Sequence, residues 1–207
     1  MYTFNEESAR KADRTGGKIT EHGAYIGTFK RAEDVTAKSG AKGILFAFES
    51  DGEEYATFTI YTIGKDGKPI FGMDKVNALM KILRSPTLSP VEATVEKWDN
   101  ELKKSVPTKV NVFQELMGKP IGVMFNTVEN EYQGNVNIQL DPVMFFRAND
   151  RMTVTEILDK SVTAIEADKM EAKLRHIPLS GKSGKGISAA NYAAQEAGGN
   201  LLDDIPF

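Results

Sequence analysis

Residues 44–63 read ILFAFESDGEEYATFTIYTI. Two apolar and aromatic segments, 44–50 and 55–63, flank the turn pair Asp51-Gly52. Segments rich in β-branched and aromatic residues favour strands, and Asp-Gly between two of them is a strong β-hairpin signal. This part of the chain therefore predicts two antiparallel strands at the centre of a β-rich fold.

The flanking segments extend this signal along the chain. Residues 24–35 predict a strand before the hairpin, while 121–128 and 135–140 predict two strands after it. Apolar residues at helical spacing between 76 and 83 predict a helix in the middle. Three strands, a helix and two strands is the element order of an OB-fold. We therefore expect a mainly β protein with accessory helices, built as a five-stranded OB-fold barrel with a helix between strands 3 and 4 and insertions.

Weaker secondary-structure signals lie outside these five strands and the helix. Residues 91–98 fit an extra strand within a proline-punctuated stretch, 86–108, to which the pattern assigns no role. Residues 113–117 fit a single helical turn. Thr153 and Glu156 have the spacing of a capping box before an apolar run, which predicts that a helix begins here.

Composition divides the chain into three parts. Residues 1–22 are polar and mixed in charge, and they predict a loosely held N-terminal arm. Residues 23–178 contain the strand and helix signals and predict an OB-fold domain with an insertion and a C-terminal helix. Residues 179–207 are rich in Gly, Ala and Ser, and such a segment buries too little apolar surface to offset the entropy of ordering. They predict a flexible linker that ends in an acidic tip.

The composition also argues against several kinds of chemistry. The 207 residues include no cysteine and only two histidines, His22 and His176, so neither thiol chemistry nor a histidine-based metal or catalytic centre is expected. We expect no metal and no cofactor. With no run of about 18 apolar residues and no signal-peptide pattern, we expect no membrane association and a cytoplasmic protein. The net charge is −3, so a nucleic-acid surface would have to be a local basic patch.

Alternation along a strand predicts which side chains share a face. In the strand after Asp-Gly, Ala56, Phe58 and Ile60 form an apolar face, while Tyr55 and Tyr61 lie with threonines on the other. Rings flanked by basic loops suit single-stranded nucleic acid, because bases stack on the rings and cations follow the phosphates. The alternative that these tyrosines are only rim residues of a half-buried sheet stays open here. The candidate nucleic-acid-binding residues are Tyr25, Phe29, Arg31, Lys38, Lys42, Tyr55, Tyr61, Lys65, Lys68, Trp98 and Tyr132.

The last predicted strand and the loop before it belong to the same expected surface. Val136, Ile138 and Leu140 are expected to point inward, and the amide side chains between them outward. The loop 129–134 contains Tyr132, which suits stacking, but also two glutamates, which would repel phosphate.

The chain ends in Asp203, Asp204, Ile205, Pro206 and Phe207. The carboxylates suit a basic rim on a partner, the apolar side chains supply anchors, and proline restricts the backbone before binding. This tail, after a Gly-rich linker, resembles the acidic tip of bacterial single-stranded DNA-binding proteins. The resemblance implies that these five residues recruit replication and repair enzymes.

The body of the chain resembles bacteriophage single-stranded DNA-binding proteins, in which one OB-fold carries insertions. The similarity lies in residues 23–84 and in the segment LMGKPI at 116–121. It implies sequence-independent binding and protection of single-stranded DNA in replication, recombination and repair, without enzymatic activity, in the cytoplasm of a bacterial host.

Two other hypotheses remain. The protein could be an interaction module whose tail docks to a replication enzyme without any nucleic acid. A small nuclease would need clustered carboxylates to hold a metal, and no such spacing occurs in the sequence.

Overall fold

The structure of the chain is a computed structural model that describes residues 16–99, 102–132 and 134–179. About half of these residues lie in strands and few lie in helices, which confirms a mainly β protein. The strands are β1 (Gly23–Thr36), β2 (Lys42–Ser50), β3 (Tyr55–Ile63), β4 (Val91–Asp99), β5 (Lys104–Val112), β6 (Pro120–Tyr132), β7 (Asn135–Phe146) and β8 (His176–Ile177). The helices are α1 (Gly72–Ile82), α2 (Val154–Leu158) and α3 (Glu166–Glu171), with a 3₁₀ turn at Gln114–Leu116.

The central strand of the sheet is β1. Along one edge it pairs antiparallel with β2, and β3 adds to the far side of β2. Along its other edge it pairs with β6 at residues 23–28 and with β5 at Glu33, so one long strand serves two neighbours. Strand β7 pairs with β6, β4 pairs with β5, and the short β8 runs parallel to β6.

Within the described ranges the strands form one open sheet, because no ladder joins β3 to β7 to complete a ring. The closed five-stranded barrel expected from the sequence is therefore not confirmed by the strand pairing. The expected helix after the third strand is present as α1. The β4–β5 hairpin is an addition to the five strands of that expectation, and its first strand, β4, lies where residues 91–98 fitted an extra strand.

The core lies on one side of β1, β2 and β3 and is dominated by phenylalanine. Phe29 is fully buried, and its ring lies 4.6 Å from Phe46 and 5.8 Å from Phe48, measured between centroids. The apolar stripe of α1 closes this core, as its spacing predicts, with Leu79 fully buried. Gly72 allows the helix to start against β3, because a Cβ at this position would lie 1.9 Å from the Tyr61 carbonyl oxygen.

A β-bulge interrupts β1 at Lys30. Phe29 pairs with Phe48, but the next pair is Arg31 with Ala47, so Lys30 is an extra residue in the ladder. A bulge reverses the alternation for every residue that follows it. Phe29 therefore faces the core, whereas Arg31 lies on the opposite side of the sheet.

Two expectations about buried and exposed segments differ from the structure. Val136 and Ile138 were expected to point inward, but they are 57% and 41% exposed, because this end of the β6–β7 hairpin extends beyond β1. Residues 16–22, assigned to a loose arm, contribute Ile19 to the core, and its amide donates to the Tyr55 carbonyl oxygen at 2.8 Å. The rest of that arm, 1–15, lies outside the described residues.

Several local predictions are confirmed. The Asp-Gly turn joins β2 to β3, with the Ser50 amide donating to the Glu54 carbonyl oxygen at 2.7 Å. Thr153 and Glu156 form a complete capping box at the start of α2. Among the helices that the structure describes, none has the length and apolar character needed to cross a bilayer.

Candidate nucleic-acid interface

The face of β1–β3 opposite the phenylalanine core is called the outer face here. Cross-strand pairing aligns Arg31, Ala47 and Thr57 in one row of this face. Glu33 begins the next row. The sequence predicted an open surface here, but Arg31 is 8% exposed and Ala47 is 7% exposed. The outer face is therefore covered at Arg31 and Ala47, while Thr57 and Thr59 on β3 are half-buried, so the face is not the fully open surface that was expected.

The β4–β5 hairpin covers part of this face. Val112 at the end of β5 pairs both with Glu33 and with Val91, which fixes the base of the hairpin beside β1. Lys97, six residues along β4 from Val91, nevertheless places its Nζ atom 2.7 Å from Glu33 Oε1. In a straight hairpin, Lys97 would lie far from the base at Val91 and Val112, and so far from Glu33. Strand β4 therefore curves across the outer face.

A polar cluster is made of Arg31, Glu33 and Lys97, where the hairpin contacts β1, together with Thr57 at the far end of the Arg31 row. Arg31 Nε lies 3.7 Å from Glu33 Oε2, too far for a hydrogen bond, and Glu33 is 5% exposed. Burial lowers the pKa of Arg31, and the Glu33 carboxylate opposes that shift. In the described part of the chain, Arg31 Nε and Nη2, Glu33 Oε2 and Thr57 Oγ1 are buried without a hydrogen-bond partner. Such groups are rare in folded proteins and mark this cluster as unusual.

Four predicted cations meet at one end of the sheet, and this group is called the basic end. Lys42 pairs with both Thr36 and Ile63, so the β1–β2 turn and the loop after β3 lie side by side. The cations of the basic end are Lys38, Lys42, Lys65 and Lys68, all exposed. Asp66 is the nearby carboxylate, 3.8 Å from Lys68 Nζ. The structure thus brings together the two basic loops that the sequence singled out.

The opposite end of the β2–β3 hairpin is acidic. Its turn carries Asp51, Glu53 and Glu54, and Glu49 precedes it. Among the described residues, two cations reach this end: Lys30, 3.1 Å from Glu49, and the exposed Lys18, whose backbone pairs with Tyr55. A polyanion on this sheet would therefore be attracted to one end of the hairpin and repelled at the other.

Three of the four predicted tyrosines, those in β1 and β3, occupy different surroundings. Tyr25 is half-buried at the margin of the phenylalanine core, and its hydroxyl donates to the Glu21 carbonyl oxygen at 3.1 Å. Burial, with Glu54 and Glu21 nearby, raises the pKa of Tyr25. Tyr55 is half-buried beside the acidic turn. None of these positions provides the open row of rings expected from the alternation.

Tyr61 and Phe29 correct the prediction directly. Tyr61 is 3% exposed and packs in a small cluster with Ala37, Ala41 and Ile70, so its ring is covered by the loops of the basic end, and this burial raises its pKa. Phe29 belongs to the main core. An exposed stacking role for either ring is wrong, because alternation shows which residues share a face and not what covers that face.

The remaining candidates lie at the limits of the described residues. Trp98 lies in β4 and pairs with Ser105, while Tyr132 pairs with Asn135 at the end of β6. The side chains of Trp98 and Tyr132 are outside the described part of the structure, as is the whole acidic tip, 203–207.

Three cluster residues, Glu33, Thr57 and Lys97, were not predicted from the sequence. Arg31 and Glu33 are separated by one residue, so a strand places them on one face, and this spacing could have indicated a buried ion pair. No local signal indicates that Lys97, 64 residues away, completes it. Glu129, expected to repel phosphate, instead accepts a hydrogen bond from the Leu179 amide at 2.9 Å and lies 3.1 Å from His176 Nε2.

Neither a family model nor a curated protein sequence matches this chain. Within the described residues, no three His, Asp or Glu side chains are placed to hold a metal ion. The outer face and the basic end are therefore interpreted from their own geometry.

Proposed function

We propose that this protein binds single-stranded DNA without sequence preference and protects it in replication, recombination and repair. The observation that carries the proposal is the convergence of two basic loops at one end of an OB-fold-like sheet, next to the β4–β5 hairpin. Cations grouped in this way attract phosphates without reading bases.

The proposal includes a finer description of the fold. The order of three strands, a helix and further strands is that of an OB-fold, in which strands 2 and 3 and the loops after strands 1 and 4 bind nucleic acid. Here β1–β3, α1, β6 and β7 correspond to this order, and β4–β5 is the insertion. The basic end is formed by the loop after the first strand and the loop after the third.

The burial of Tyr61 changes which interactions with DNA the proposal relies on. With Tyr61 covered, binding relies more on phosphate contacts than on stacking, so affinity should depend steeply on salt. Asp203 to Phe207 would serve the second part of the function, which is recruitment of replication and repair enzymes, as their resemblance to the bacterial tip suggests.

The test is a titration of labelled oligo(dT) and of duplex DNA by fluorescence anisotropy at several salt concentrations. We expect tight binding of oligo(dT), weak binding of duplex, and a loss of about 10- to 100-fold at 50 mM salt when Lys38, Lys42, Lys65 and Lys68 are all changed to Ala. The slope of log affinity against log salt should fall by up to about 0.7 for each phosphate contact removed.

The control variant is Lys160→Ala/Lys173→Ala, which removes two exposed cations in the segments around α2 and α3. It should retain wild-type affinity. An equal loss in both variants would mean that overall charge and not the basic end drives binding. No binding of oligo(dT) by the wild-type protein would favour the alternative of an interaction module that acts only through its tail.

A further inference from the structure

The Arg31–Thr57 row of the outer face has buried polar atoms at both of its ends. Arg31 and Glu33 are both more than nine-tenths buried, and two nitrogens of the guanidinium have no hydrogen-bond partner in the described part of the chain. Leaving a buried polar group unpaired costs about 1–3 kcal/mol, and more for a charged group. Groups of this kind in native proteins are found at strained or functional sites, or where a bound water, ion or ligand completes the hydrogen bonds.

The charge of the cluster indicates the sign of that ligand. Arg31 and Lys97 are cations and Glu33 is the one carboxylate among them, so the cluster carries one excess positive charge. The unpaired groups on Arg31 are donors, and the Thr57 hydroxyl is also able to donate. A guanidinium fork matches a phosphate, since two phosphate oxygens can accept from it. Thr57 lies in the same row as Arg31, with Ala47 between them, so its hydroxyl is a candidate donor to a third oxygen.

The hairpin is attached in a way that allows access. Strand β5 meets β1 at a single ladder position, Glu33 with Val112, supported by the Phe113 amide donating to Ala32 at 2.8 Å. Among the described strands, β4 pairs only with β5. Among the described strands, lifting this hairpin from the outer face would therefore break one ladder position, the Phe113 hydrogen bond and the Lys97–Glu33 contact, and no longer ladder.

We infer that Arg31, Thr57 and Lys97 form a phosphate subsite between the outer face and the β4–β5 hairpin, which takes a backbone phosphate of the bound single strand. This inference rests on the proposed function and extends it. The strand would run from the basic end to a position beneath the hairpin. Lys97 would exchange its contact with Glu33 for one with the phosphate, and Glu33 would oppose binding until that exchange occurs.

The experiment compares three near-isosteric variants in the oligo(dT) titration. Arg31→Met should weaken binding about tenfold at 50 mM salt and reduce the salt slope by about 0.7. Thr57→Val should weaken it about threefold. Glu33→Gln should tighten binding about threefold, because it removes the carboxylate beside the phosphate. The matched control is Lys30→Met, which removes the exposed cation next in sequence and should leave affinity unchanged.

A second readout separates binding from folding. The Nε–H resonance of Arg31, assigned by its loss in Arg31→Met, should shift when oligo(dT) is added to the wild-type protein. Inorganic phosphate at equal ionic strength should not shift it, and a shift with phosphate but not with oligo(dT) would overturn the strand as the ligand. Circular dichroism melts identify any variant whose loss of affinity reflects unfolding.

Each outcome bears on a different claim. If the wild-type protein binds oligo(dT) but neither Arg31→Met nor Thr57→Val changes affinity or slope, the subsite is wrong and the proposed function stands. Weaker binding by Glu33→Gln would also overturn the subsite, since it would make Glu33 a structural support. No binding by the wild-type protein would overturn both proposals.

Discussion

Glu33 and Glu156 are buried to the same extent, with 5% of each residue exposed, but their carboxylates have different surroundings. Glu156 accepts hydrogen bonds from the backbone amides of Thr153, Ile165 and Glu166 and from the Thr153 hydroxyl, so both of its oxygens have partners. Glu33 has one oxygen on Lys97 and another without a hydrogen bond within the described residues. The two carboxylates are therefore equally buried, but both oxygens of Glu156 are hydrogen-bonded, whereas only one oxygen of Glu33 is, in the described part of the chain.

The difference indicates what each site does. The Glu156 cluster joins the start of α2 to the start of α3 and has no free bonding capacity, which is the arrangement of a structural element. The Glu33 cluster lies next to the basic end and beneath a hairpin that is held at one position. Its unmade bonds are what a ligand site requires.

The largest effect expected from this comparison is on the satisfied carboxylate. Replacing Glu156 with Ala leaves three backbone donors without their acceptor, and we expect the free energy of unfolding to fall by about 3 kcal/mol. Urea denaturation would measure it. Glu166→Ala, at an exposed position, is the control and should change stability by less than about 0.5 kcal/mol. A small effect of Glu156→Ala would remove the contrast between the two sites.

The second-largest effect on stability is expected from breaking the ion pair between Lys97 and Glu33. Lys97→Met removes the cation that is hydrogen-bonded to the buried Glu33 carboxylate and leaves it with Arg31, 3.7 Å from its other oxygen. Breaking a fully buried pair costs about 3–5 kcal/mol, and because Lys97 is 31% exposed we expect about 2 kcal/mol. The double variant Glu33→Gln/Lys97→Met should recover much of the loss in the same urea experiment. Additive effects of the two changes would mean that the pair does not stabilise the fold.

A pH titration of stability tests the satisfied site in another way. Burial would raise the pKa of Glu156, but the backbone hydrogen bonds from Glu166, Ile165 and Thr153 outweigh it and lower the pKa from 4.5 to about 2. A lowered pKa stabilises the folded state above pH 4.5, and this contribution is lost as the pH falls toward 2. Between pH 6 and pH 3 the wild-type protein should lose about 1 kcal/mol more than Glu156→Gln, after allowance for solvent screening. Parallel curves for the two proteins would contradict this assignment.

The smallest effect on stability is expected at Thr57. Its hydroxyl is buried without a partner among the described residues, so Thr57→Val removes no hydrogen bond and should change the free energy of unfolding by at most about 0.5 kcal/mol. A small increase in the free energy of unfolding would agree with a Thr57 hydroxyl that has no hydrogen-bond partner in the protein without DNA. A loss of more than about 1 kcal/mol would mean that the hydroxyl is satisfied in solution and would weaken the contrast with Glu156.

The sequence predicted the elements of this fold better than their environments. Strand β3 was predicted at its observed bounds, and Thr153 and Glu156 indicated the capping box, because these signals arise from neighbouring residues. The bulge at Lys30 has no comparable local signal. It reverses the faces of half a strand, so Phe29 and Arg31, predicted together, lie on opposite sides.

The candidate site was predicted in part for the same reason. The lysines of the basic end were found because loop lysines remain exposed in most folds. Burial of Tyr61 depends on the loops that fold over it, and the cluster at Arg31 depends on Lys97 from a distant strand. Contacts between residues far apart in the chain leave no periodic trace in the sequence, so these features required the structure.

The one-sided attachment of the β4–β5 hairpin has a topological consequence. Among the described strands, this cover is joined to the sheet by a ladder along one margin only, with Lys97 in contact with Glu33 beneath it. Such a cover would admit a polymer from the side, without threading a terminus through a closed hole. Under the proposed function, circular DNA and DNA with blocked ends would be captured as readily as linear DNA with free ends. Release would also need no end, so several copies of the protein could be placed on or removed from the middle of a long strand independently.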